Sequence, residues 1–153
     1  MRTMRRAERA LAEPEAFAVL AKAEYGVLST VAADGQPYGV PVNFCVLDHS
    51  IYLHSAVAGH KIDNFTADPR VSFCVVGKTR VLPEKFSTEY ESAIVFGVMS
   101  EVFALEKERA LAGMLQKYCQ GYIAEGLEYI AAAREKTRVF KVKPATITGK
   151  ARR

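Results

Sequence analysis

Hydrophobic positions in this chain alternate in short runs more often than they recur at helical spacing. Residues 25–32 read as a strand, and Asp34-Gly35 marks a hairpin turn after it. Residues 37–47 form the return strand. Pro41 cannot donate to a ladder, so this strand carries an edge or a bulge near Val42 and Asn43. Asp48-His49-Ser50 then turns the chain into a third strand beginning at Ile51, which completes an antiparallel meander. Further strands are predicted over residues 71–76, over 90–105 with Gly97 as a bulge, and over 138–143, which alternates and closes the sheet.

Helical spacing is confined to four stretches. Glu13-Pro14-Glu15 opens the first, which runs to Ala23 with Phe17, Leu20 and Ala21 on one face. Ile62 and Phe65 mark a second that ends at Pro69. Residues 106–118 carry Leu111, Met114 and Leu115 on one side, and residues 127–134 follow after breaks at Gly121 and Gly126. Residues 77–89 are polar and irregular and are expected to form a long surface or functional loop. The sum predicts a mainly β fold with peripheral helices, an antiparallel split β-barrel. One domain spans residues 1–153, with a basic leader over 1–10 and a helical insertion over 106–135.

Composition narrows the class. At 153 residues and half hydrophobic, the chain has room for a real core. No run approaches the roughly 20 apolar residues of a membrane span, and no signal core follows the basic N-terminus. No membrane partner and a cytoplasmic location are therefore expected. The net charge of +4 is concentrated at the two ends, read as solvated tails. Basic residues are not interleaved with aromatics, so no nucleic-acid partner is expected. Cys45, Cys74 and Cys119 lack metal-ligand spacing, and Cys45 and Cys74 lie inside apolar runs, as buried reduced thiols do. No metal site is predicted.

Candidate chemistry gathers between Ile51 and Pro69. His54 and Ser55 stand at the end of a strand, and His60 and Lys61 at the start of a helix. A helix N-terminus offers unpaired N–H donors and partial positive charge, Lys61 adds a full charge, and Gly59 permits close backbone approach. This is the chemistry of a phosphate cradle. No Gly-x-Gly-x-x-Gly fingerprint is present, which argues against a Rossmann dinucleotide site.

Four motifs in order carry a family resemblance: Val40-Pro41-Val42-Asn43-Phe44, Tyr52-Leu53-His54-Ser55-Ala56, Gly59-His60-Lys61, and the segment from Glu91 to Gly97. Together they resemble the flavin-binding split-barrel proteins, and within them the pyridoxamine-phosphate-oxidase-like proteins of the nitroimidazole-resistance (Nim) branch. The resemblance implies a homodimer with FMN at the subunit interface. It implies that Val42 and Asn43 face the isoalloxazine ring, that Ser55 and Lys61 hold the phosphate, and that Ser92 reaches the flavin of the partner subunit. His54 would lie beside the flavin as the candidate catalytic residue, and Lys150 is a further candidate. The chain departs from the vitamin-pathway oxidases in having no histidine in its C-terminal tail, and His60 stands where an arginine commonly precedes the phosphate lysine. The implied activity is an FMN-dependent oxidoreductase that reduces a small planar acceptor such as a nitroaromatic. A non-catalytic flavin- or haem-binding module and a deazaflavin cofactor are the alternatives.

Overall fold

The computed structural model describes residues 3–153; Met1 and Arg2, including the start of the basic leader, lie outside the described residues. Ala10–Leu11 (β1), Gly26–Val31 (β2), Pro37–Val42 (β3), Cys45–Leu47 (β4), Ser50–Ser55 (β5), Arg70–Leu82 (β6), Ser87–Val102 (β7) and Arg138–Arg152 (β8) form the strands. The helices are Glu13–Lys22 (α1), His60–Ala67 (α2), Ala104–Tyr118 (α3) and Ile123–Ala133 (α4). All strands join one antiparallel sheet in the order β3-β2-β6-β7-β8-β5-β4, with β1 added to the far half of β8.

That order corrects the expectation of a mainly β split barrel. The path has two free ends, β3 and β4, and no ladder joins them, so the sheet is open and the fold is a mixed, sheet-rich α/β architecture. The predicted meander fails at the same place. The return strand divides at Asn43-Phe44: its first half pairs with β2 and its second with β5, at opposite ends of the sheet. Pro37 and Pro41 withhold two N–H donors from β3. Phe44, fully buried, gives its N–H to the Tyr118 hydroxyl at 3.0 Å rather than to a strand.

Three further expectations change. Residues 77–89 are no loop: β6 and β7 continue as a hairpin through a register shift between Val76 and Thr79, turning at a 3-10 segment, Pro83–Lys85. The C-terminal residues are no solvated tail, because β8 runs to Arg152 between β7 and the β5 and β1 strands. The last helix starts at Ile123, with Gly126 inside it, where α4 approaches the Leu115 side chain. By contrast, α1, β2, the Asp34-Gly35 turn, β5 and the Gly97 register shift stand where the pattern placed them.

The core divides by sheet face. Leu20, Leu28, Phe44, Ile51, Leu53, Phe65, Phe73 and Val142 form the main cluster, to which α1 and α2 contribute. Tyr52, Val102, Leu111, Met114 and Val139 form a second cluster under α3. Alternation along β5 distributes its residues between them, Ile51 and Leu53 to the first and Tyr52 to the second. Asn64 on α2 donates to the buried Thr30 hydroxyl at 3.0 Å, pinning the helix to β2.

Candidate flavin site

The end of β5 sends two adjacent side chains to opposite faces. Ser55 follows Leu53 toward the face that α2 covers, and His54 follows Tyr52 toward the face that α3 covers. Beyond Ser55 the chain crosses residues 56–59 and enters α2. Gly59 makes that entry with φ +156°, a conformation in which an L side chain is strained, and open space lies beside its Cα. As N-cap it brings no capping side chain, so the first N–H groups of α2 are free to meet an anion. Lys61 sits one residue into the helix, half-buried.

The Ser55 hydroxyl is the decisive detail. Its Oγ is buried with no hydrogen-bond partner among the described residues, a state proteins rarely tolerate because the unmade bond costs about 1–3 kcal/mol. A hydroxyl donor thus ends β5, and uncapped N–H groups and a lysine open α2 a few residues later. That donor set fits a phosphate monoester, the terminal group of FMN.

His54 borders a second space. With Asn43 it lines an apolar cavity of about 230 Å³ walled by α3 and α4. Burial, and then the charge of Lys61, hold the imidazole below its ordinary value of 6.5, so it is largely neutral at pH 7. Lys61 and His54 are thus electrostatic neighbours although Ser55 and His54 face different sides.

Other expected residues separate. Val42, half-buried, packs its side chain against the main cluster. Asn43 is exposed at the cavity rim. Ser92 pairs with Lys150 on β8, whereas Ser55 pairs with Arg138. Those β8 partners are twelve residues apart, about 40 Å at the usual strand rise, so one chain does not bring Ser92 or Lys150 to the cradle. His60 stacks on Tyr38, ring centroids 4.0 Å apart, fastening α2 to β3.

Three residues missed by the sequence reading brace the site. Arg138 is held by both carboxylate oxygens of Glu101 at 2.8 and 2.9 Å and donates to the Val57 carbonyl at 3.0 Å, fixing the crossing that leads to Gly59. Tyr118 accepts from the Phe44 N–H and donates to the Glu24 carbonyl, fixing the backbone beside Asn43. Lys117 tucks its ammonium over the Phe44 ring, 3.6 Å from the centroid, with no hydrogen-bond partner among the described residues. Burial lowers its pKa to about 8 and raises that of the neighbouring Cys45 thiol to about 11. Lys117 stands three residues after Met114, on the flank of the α3 apolar stripe, which was the available signal.

Residues 12–151 match the family model described as pyridoxamine 5'-phosphate oxidase. The chain belongs to that family. No curated protein matches it. Among solved structures, the family fold is shared with a conserved hypothetical protein of Mycobacterium tuberculosis at TM-score 0.82 and 22% identity, covering 97% of this chain and 90% of that one. A candidate 5-nitroimidazole antibiotic resistance protein of Bacteroides thetaiotaomicron matches at TM-score 0.73 and 21% identity, over 92% and 85%. An FAD-binding protein of Mesorhizobium loti matches at 0.68 and 24% identity, over 95% and 98%. At these identities the likeness is one of fold. Among the described residues, no helix is long and apolar enough to cross a membrane.

Proposed function

We propose that this family member binds FMN and acts as an oxidoreductase on small planar acceptors, in the manner suggested for the nitroimidazole-resistance branch. The unpartnered buried Ser55 hydroxyl at the uncapped start of α2 carries the reading. Ser55, the α2 N–H groups and Lys61 hold the phosphate, and Arg138 keeps the Val57 crossing in register for it. The bound flavin supplies electron transfer to the acceptor. Asn43 and the backbone of Val42 orient the ring system, and the apolar walls of α3 and α4 exclude water. His54, its imidazole held below its ordinary value by burial and by Lys61, orients the acceptor by hydrogen bonding.

The same reading includes a homodimer, so that Ser92 meets the flavin of the partner subunit. Support comes from the outward face of β7, where Ile94, Phe96 and Val98 are 38%, 44% and 49% exposed in a row. A cytoplasmic location accords with Cys45, Cys74 and Cys119 remaining free.

The test is the visible spectrum of freshly purified protein before and after denaturation. Flavin bands that change to those of free FMN on release support the proposal. Protein that is colourless and takes up no added FMN overturns it. Sedimentation at micromolar concentration checks the dimer: a monomer that retains FMN contradicts a shared site.

A further inference from the structure

The space beside His54 differs from the cradle in every chemical respect. Leu111, Met114 and Leu115 wall it from α3, Ile130 and Ala133 from α4, and none of its lining residues is Asp, Glu, Lys or Arg. His54 and Asn43 both line it, each two positions beyond the paired Tyr52 and Cys45. Of the other hydroxyls, Tyr118 donates to the Glu24 carbonyl and Thr137 to the Ala133 carbonyl at 3.0 Å, while Tyr129 is largely exposed. A charged group entering here would shed its water without gaining an ion partner. A volume of about 230 Å³ exceeds the roughly 150 Å³ of an engineered cavity that accepts benzene, so a single ring with a substituent fits.

We propose that this cavity is the specificity pocket for the acceptor and takes an uncharged, largely apolar, single-ring molecule whose one polar end meets His54 and Asn43. The assignment as an acceptor pocket rests on the flavin reading above; the ligand chemistry rests on the cavity alone. It rejects phosphorylated and other ionic acceptors, including the charged vitamin-type substrates implied by the family's name. Specificity then resides in α4. That helix has no fully buried residue and packs chiefly on α3, with Gly126 allowing its approach to Leu115, so its cavity-facing positions can change size without disturbing the sheet.

The experiment uses three para-substituted probes of similar size, 4-nitrotoluene, 4-nitrobenzoate and 4-nitrobenzylammonium, with binding to the purified protein followed by saturation-transfer NMR. The neutral probe is expected to bind at least tenfold more tightly than either ion. Ile130→Trp fills the cavity and is expected to weaken the neutral probe at least tenfold, with far-UV circular dichroism unchanged. Ala132→Trp, on the exposed side of the same helix, keeps wild-type binding. Ala133→Leu repeats the test with a smaller step if tryptophan is not tolerated. Equal binding of the three probes, or no effect of a folded cavity-filling variant, overturns the proposal. FMN titration of the same samples separates the two readings. Preference for the neutral probe without FMN uptake supports the cavity chemistry and sinks the flavin function. FMN uptake without preference overturns the pocket and leaves the flavin function standing.

Discussion

Ser55 and His54 are neighbours in sequence, yet they open onto two unlike environments. On the Ser55 side, uncapped N–H groups, a hydroxyl without a partner and a lysine leave hydrogen-bonding capacity unspent. On the His54 side, aliphatic walls from α3 and α4 leave a cavity with almost nothing to bond. The difference follows from the strand's period of two, which hands consecutive residues to different layers. A ligand with an anionic end and a planar body could thereby be gripped through one face while its reaction partner is selected on the other. Stability and function also divide along this line. The cradle stores unsatisfied polar capacity, whereas the α3 side stores one misplaced charge, Lys117.

Substitutions that affect one side only test this division. Lys61→Met removes a charge-assisted contact worth about 1.5–3 kcal/mol, so FMN affinity should fall roughly 10- to 100-fold while binding of neutral probes in the cavity stays constant. Coupled losses of both would show the two sides to be one site. Next in size, Arg138→Ala frees the Val57 carbonyl and should weaken FMN about tenfold by fluorescence titration, again sparing the cavity. An unchanged FMN affinity would mean that the crossing is held by other contacts.

Lys117→Met probes the opposite side. Its folded pKa, about 8, lies below the ordinary 10.5, so between those values the unfolded chain binds more protons and stability rises with pH. Below about pH 8 the buried charge is at its most destabilising. The substitution should raise stability at pH 7 by about 1 kcal/mol, after allowance for solvent screening and for the lost Phe44 contact, and should abolish the rise. Because Cys45 is held up near 11, its own ionisation lowers stability between pH 9 and 11, and the variant should expose that fall. Urea melts across pH 7 to 11 measure both.

Ser55→Ala should weaken FMN only a few-fold, in line with one neutral hydrogen bond, and should leave or slightly raise the stability of the flavin-free protein. Destabilisation would reveal a partner for the hydroxyl within the chain. The smallest expected effect is on His54: its imidazole, held below its ordinary value by burial and by Lys61, should titrate higher by NMR in Lys61→Met, since the repelling charge is gone while burial persists. A midpoint that does not move would separate the two faces electrostatically as well.

Much of this was legible along the chain. The β5–α2 passage declared itself through the change from alternation to helical spacing around Gly59, and the cradle residues came with it. The α3 stripe was equally plain, although its role as a cavity wall was not. What stayed hidden were partnerships between distant residues. Arg138 reaches Val57 across 81 positions, and Tyr118 reaches Phe44 across 74, distances over which no local pattern carries information.

Local chemistry settled the identity and order of most elements, because periodicity, proline and turn residues act within a few positions of themselves. Tertiary structure alone decided how far those elements extended and what they touched. Residues 77–82 and 144–152 are too polar to read as strands, yet they become strands because β7 lies between them and offers a ladder on both edges. The barrel stayed open for the converse reason. Phe44 found the core and Tyr118 found its backbone, leaving β3 and β4 on separate ends of the sheet.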